Sequence, residues 1–106
     1  MDFDEPQHVS MLRDSMKRFV AQHMSRESAR TWDRENIYPR ETMRELAKLG
    51  VFGLTTPEDY GGAGVDIYAT MAVIEELAKR SVAVACPYIM AVCYAGMNLG
   101  ESGSEA

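Results

Sequence analysis

The chain has 106 residues, enough for one domain with a modest hydrophobic core. Its apolar share of 46% and charged share of 25% are those of an ordinary globular protein. A net charge of −5, with basic residues alternating with acidic ones along the chain, argues against nucleic acid as a partner, because phosphate binding needs a surplus of Lys and Arg.

The acidic N-terminus is not followed by an apolar run, so it reads as no signal peptide. Asp4, Glu5, Pro6 and Gln7 predict a helix start: Asp4 as cap, Gln7 reaching back to it, and Pro6 in the first turn. Val9, Leu12, Met16, Phe19, Val20 and His23 then recur at helical spacing and define one apolar face, with His23 at its rim. Residues 25–35 are polar, with Ala29 and Trp32 three apart. They predict a short second helix docked by Trp32 as a core anchor and closed by Asn36. Pro39 opens a third helix whose inner positions are Met43, Leu46 and Ala47, and Gly50 stops it as a left-handed cap.

Residues 50–66 hold five of the eight glycines and one of the four prolines, and helix-like sequence flanks them on both sides. Such a stretch cannot be helix interior. It could hold a phosphate or set the angle between two helical halves. A phosphate loop ends in Gly-Lys-Ser/Thr, and no Lys follows here. The next helix begins at Asp66, whose carboxylate would fill and repel the position an anion uses. The structural reading is the stronger. Pro57 fixes a bend, Tyr60 pins the loop to a helix face, Gly61, Gly62 and Gly64 allow backbone shapes closed to other residues, and Asp66 caps the fourth helix.

Ile67, Met71, Ile74 and Ala78 fall on one stripe of that helix, with Leu77 beside it. Glu75 and Glu76 are each four residues ahead of a cation, Lys79 and Arg80, and read as surface ion pairs. Adjacent helical residues point about 100° apart, so the two carboxylates are not expected to converge as an acid/base pair. Ser81 breaks the pattern, and a fifth helix is expected over 85–99 with Pro87 in its first turn. It is apolar on all sides and must be surrounded. Four other helices, two of them short, are too few to enclose it, so one side is expected to be covered by something outside this chain. Residues 82–99 carry no charge, but a helix starting near Pro87 is about 21 Å long, short of the ~30 Å hydrocarbon layer, so a buried helix is favoured over a membrane anchor. Cys86 and Cys93 lie seven apart. On a helix that is about 10 Å, too far for a disulfide, and no ligand spacing for zinc is present. Buried, reduced cysteines and a cytoplasmic location are expected. The chain thus reads as all-α: about five helices in a bundle, with a long Gly/Pro-rich loop before the fourth.

The run from Leu54 through Pro57, Glu58, Tyr60, Gly61, Gly62 and Gly64 to Asp66 resembles the Pro-Glu-x-Tyr-Gly-Gly-x-Gly signature of the N-terminal domain of flavin-dependent acyl-CoA dehydrogenases. Trp32-Asp33, Tyr38 to Glu41, Leu46 to Gly50 and Glu75 to Ala78 resemble that domain's second, third and fourth helices, so the likeness covers nearly the whole chain. The resemblance implies a helical N-terminal domain at 1–106, with a middle β-domain and a C-terminal helical bundle absent from this chain. It implies an enzyme that oxidises the Cα–Cβ bond of an acyl-CoA. A glutamate base takes the α-proton and FAD accepts a hydride. An electron-transfer flavoprotein-like acceptor and homo-oligomeric assembly are implied as well. Base and flavin contacts lie in the absent segments, so no catalytic, flavin-binding or metal residue is assigned here.

By position, the family's acyl-chain pocket falls at Ala85, Cys86, Ile89 and Met90. Cys86, Ile89 and Met90 share one face at i, i+3 and i+4, and their thiol and thioether suit a flexible apolar ligand. The same face reads equally well as core. Cys86-Pro87-Tyr88 also departs from common members, where small or polar residues are frequent. The alternative function is a stand-alone helical module that binds a partner protein through its fifth helix.

Overall fold

The computed structural model describes residues 5–62 and 64–103. The apolar periodicity becomes six α-helices: α1 (Gln7–His23), α2 (Arg26–Arg34), α3 (Arg40–Ala47), α4 (Ile67–Ala78), α5 (Val82–Ile89) and α6 (Asn98–Ser102). A π-helical stretch, Met90–Met97, joins α5 to α6 without a break, so there are five helical bodies, and no strand occurs among the described residues. The fold is all-α.

The strong period of α1 gives the expected face: Val9, Met16, Phe19 and Val20 are buried, and Leu12 and His23 are half-buried. His23 packs on the Phe19 ring at 4.8 Å. Pro6 stands just outside the helix and no side chain caps its start, while the expected cap, Asp4, lies outside the described residues. Ser25 caps α2 by accepting the Ser28 N–H at 3.0 Å, and Asn36, at φ 55°, closes the segment in a left-handed turn. In α3, Met43 and Leu46 face inward as expected, but the third inner position belongs to Thr42, and Ala47 is exposed. Gly50 ends this unit at φ 77°, the left-handed cap the sequence predicts.

The face of α4 is rotated from the expected one: Leu77 is buried and Ile74 packs half-buried on the core as expected, but Ala78 and the rest of the stripe turn outward. Ile67 (45%) and Met71 (52%) are exposed, whereas Ala69, Ala72, Val73, Glu76 and Leu77 are buried. Both faces of this helix are apolar, so periodicity alone could not choose between them. Packing chose the side with small residues, Ala69 and Ala72, which join Val9 of α1 in a close contact.

The fifth body starts one turn earlier than expected. Ser81 caps it by accepting the Ala83 N–H at 3.1 Å, so Pro87 sits inside α5 rather than in its first turn. Proline has no N–H to give the preceding turn, and the helix then widens into the π-helical stretch. The main core gathers Met16, Phe19, Met43, Leu46, Val73, Leu77, Val84, Tyr88 and Val92 from α1, α3, α4 and the fifth body, and Trp32 of α2 packs against it. α1 packs along α4, α4 along α5, and α2 against α5.

Candidate functional site

The 50–66 loop is built by its backbone. Gly61 and Gly64 stand at φ 85° and 96°, in the left-handed region that favours glycine. A Cβ on Gly62 would lie 2.1 Å from the Thr56 carbonyl oxygen, so no side chain fits there. The Pro57 carbonyl accepts from the N–H groups of Tyr60 and Gly62, and the Asp66 N–H returns to the Leu54 carbonyl at 2.8 Å. Asp66 caps α4 by accepting the Ala69 N–H at 3.0 Å, and its other oxygen meets His8 Nε2 at 2.8 Å. The Ala69 N–H, then His8, hold this carboxyl below its ordinary range. The helix start, where an anion would sit, is therefore already filled by a carboxylate.

Tyr60 is 65% exposed and does not anchor the loop by burial. Two other residues hold it, and the sequence reading missed both. Thr55 Oγ1 donates to the Val92 carbonyl in the π-helical stretch at 2.7 Å, fully buried. Tyr88, also fully buried, donates its hydroxyl to the Val51 carbonyl at 2.9 Å and packs edge-on against Phe52. Burial pushes the Tyr88 phenol well above its ordinary value, so it remains a donor. Gly96 makes room for Thr55: a Cβ there would come within 2.8 Å of the threonine hydroxyl.

α5 separates the four candidate pocket residues. Ala85 is 2% exposed and belongs to the core, together with Val84 and Tyr88. Cys86 and Met90 are exposed and Ile89 is half-buried, so these three form the outer side. Cys86 lines a hollow of about 340 Å³ with Trp32, Ile37, Tyr38, Val82 and Pro87. Trp32 thus does more than anchor the core: one part packs on it and another faces this hollow. The apolar outer side continues through Tyr94 (63%) and Leu99 (69%). Both cysteines are free, but the expected burial fails at Cys86, which stands one turn beyond exposed Val82 on the same face.

The carboxylates of α4 are engaged in structure. Glu75 and Glu76 do converge, contrary to the angular argument, because Arg13 of α1 reaches between them. Its Nη1 lies 2.9 Å from one carboxylate and 3.0 Å from the other. The same guanidinium pairs with Glu5 at 2.8 Å. Lys79 takes Glu76 at i,i+3, and Arg80 donates to the Met24 carbonyl instead of pairing with Glu76. Burial pushes the Glu76 carboxyl up, but hydrogen bonds from Arg13 and Lys79 outweigh it and leave the group below its ordinary value. Among the described residues, no cluster of His, Cys, Asp and Glu could hold a metal, and no helix is long and apolar enough to cross a membrane.

The chain matches the family "acyl-CoA dehydrogenase, N-terminal domain" over residues 6–106. It is 37% identical to a glutaryl-CoA dehydrogenase of Desulfococcus multivorans over 109 aligned residues, covering 100% of this chain and 28% of the relative. It is 38% identical to a mitochondrial isobutyryl-CoA dehydrogenase of Dictyostelium discoideum, covering 74% of this chain and 18% of the relative. It is 33% identical to a benzylmalonyl-CoA dehydrogenase of Aromatoleum aromaticum, covering 80% and 22%. The chain therefore spans under a third of the length of these relatives. No solved structure matches it significantly. A helical fold, a glycine loop whose shape depends on its glycines, and a family match running from Pro6 to the last residue agree: this chain belongs to the acyl-CoA dehydrogenase family, as its N-terminal domain.

Proposed function

We propose that the chain is the N-terminal domain of an FAD-dependent enzyme that oxidises the Cα–Cβ bond of an acyl-CoA thioester. It contributes scaffold and one wall of the acyl-chain site. One observation carries this reading: in a chain matching the family along its length, α5 turns an uncovered apolar side outward at Cys86, Ile89 and Met90. Ala85 lies behind that side and shapes it only through the core. The relatives named above differ in the acyl group in their names, whereas this wall carries no charged residue. An uncharged acyl chain is therefore the substrate class proposed.

FAD would accept the hydride in the assembled enzyme, but neither the glycine loop nor the α4 carboxylates of this chain fit it. The loop's helix start is filled by Asp66, and the carboxylates of α4 are committed to Arg13. Flavin, catalytic base, the β-domain and the C-terminal bundle are assigned to segments outside this chain. Oligomer contacts and docking of an electron-transfer flavoprotein-like acceptor belong to the whole enzyme. The two free thiols fit a reducing compartment, and we assign the cytoplasm.

The test uses the full-length enzyme. Met90→Trp fills the outer side of α5 and is expected to lower kcat/KM for long acyl-CoAs about tenfold, with shorter chains less affected. An unchanged chain-length profile overturns the acyl-wall assignment. If the 106-residue chain alone purified yellow and oxidised acyl-CoA, the assignment of chemistry to other segments would be wrong. The exposed side of α5 also supports a second reading, a stand-alone module that binds a partner protein through this helix. A gene that continues after Ala106 into a β-rich segment eliminates it.

A further inference from the structure

At the start of α5, the molecule carries a cleft whose charged lining is mostly basic. It lies between α2 and the turn joining α4 to α5, with a volume of about 360 Å³. Arg26 and Arg30 line it from α2, and Lys79 and Arg80 from the turn, against a single acid, Asp33. An adjoining depression shares Arg26, Lys79 and Arg80 and adds Lys17. Its acid, Glu76, is bound by Arg13 and Lys79, each at 3.0 Å, so Lys79 is partly committed as well and the arginines Arg26, Arg30 and Arg80 are the main cations of the cleft. Arg26 and Arg30 are exposed, and neither forms an ion pair among the described residues. Arg80 is half-buried and anchored through one N–H to the Met24 carbonyl at 2.6 Å, which fixes its guanidinium beside the cleft.

Cations that alternate with acids along the sequence are thus gathered by the fold, in a protein of net charge −5. Like charges lining one cavity repel, and a bound anion relieves that repulsion. The cleft's apolar lining is limited to Ala29, Ala78 and Val82, with no aromatic ring to stack on a base. Charge is therefore what it recognises. Several guanidinium and ammonium groups match an anion with many oxygens better than a single carboxylate, which would neutralise only part of the cluster. Val82 is also the first residue of α5, whose dipole adds positive potential at the same place. We propose that this cleft binds a polyvalent oxyanion, a diphosphate group either free or carried by a nucleotide.

The test titrates inorganic pyrophosphate into the 106-residue chain at low salt, by calorimetry and by amide chemical shifts. The expected result is saturable binding, with shifts centred on Arg26, Arg30 and the turn 79–83. The double variant Arg26→Gln/Arg30→Gln weakens binding about tenfold or more, and raising the salt weakens binding of the unaltered chain. Both arginines are exposed, so helix content by circular dichroism should not change. If it falls, Arg30→Gln alone is the decisive variant. Lys48→Gln removes a cation paired with Glu45 away from the cleft and should leave the affinity unchanged. ADP is the second probe. Tighter binding than pyrophosphate identifies a nucleotide-borne diphosphate, and equal or weaker binding a free one. Absence of saturable binding at low salt, shifts spread over all basic residues, or an equal loss from Lys48→Gln overturns the proposal.

Discussion

The two long sides of this domain differ in how they finish. Between α1 and α4 the contact is closed: small residues meet at Val9, Ala69 and Ala72, and Arg13 joins Glu5, Glu75 and Glu76 across the seam. On the outer side of α5 nothing finishes the surface: Val82, Met90, Tyr94 and Leu99 are each more than half exposed. The first side is satisfied within the chain, and the second has apolar residues without partners. The difference separates residues that keep the domain folded from residues available to other contacts.

Breaking the closed side should have the largest effect. Arg13→Leu leaves Glu76 buried with only Lys79 as partner, and a loss of about 2–4 kcal/mol is expected in denaturant unfolding. Glu76→Gln in the same background should recover much of it, because the uncompensated charge is then gone. Next come the two buried hydroxyls that hold the loop. Thr55→Val and Tyr88→Phe each remove a buried hydrogen bond and should cost about 1–2 kcal/mol. Their combination tests whether loop and π-helical stretch act as one unit, since additive losses would mean independent anchors.

The third prediction concerns acid. Glu5, Asp66 and Glu76 are held below their ordinary values by their partners. Depressed carboxyls stabilise the fold above their unfolded values, and this contribution fades as pH falls through the folded ones. Thermal melts should be flat from neutral pH to about 5 and decline below about 4. The Arg13→Leu variant should decline less steeply, because the Glu5 and Glu76 shifts depend on Arg13. The smallest effect is expected on the open side: Met90→Glu should change the stability of the 106-residue chain by less than about 0.5 kcal/mol. A large loss there would show that the open side is finished by the chain itself.

How legible each element was follows from how much its residues contrast. In α1 a polar face opposes an apolar one, and its inner residues could be read directly. α4 is apolar on both sides, and the preference for Ala69 and Ala72 over Ile67 and Met71 depends on how closely α1 approaches, which no local pattern encodes. Pro87 suggested a helix start, but the capping hydroxyl of Ser81 set it. The glycines of the loop were legible because each answers to its own backbone. The anchors Thr55 and Tyr88 were not, because their partners, Val92 and Val51, are 37 residues away in the sequence. Glu75 and Glu76 were read as diverging, but one arginine unites the carboxylates that helical angles separate. Of the four pocket candidates, spacing correctly grouped Cys86, Ile89 and Met90, while Ala85 turned inward.

The contact of Thr55 with Val92, beside Gly96, has a consequence for how this domain can vary. A hydroxyl on one side of the long 50–66 crossing is fitted to a carbonyl in the widened helix, and a missing side chain makes space for both. Both ends of the crossing between Thr55 and Asp66 are tied down, by Thr55 and by the Asp66 cap. Adding one residue to the helix between Tyr88 and Gly96 breaks that fit: it rotates Val92 and Gly96 away from Thr55 by about 100° relative to Tyr88. The glycine-rich run is therefore shaped by its own backbone bonds, whereas the plain-looking apolar helix opposite it is locked in register by Thr55.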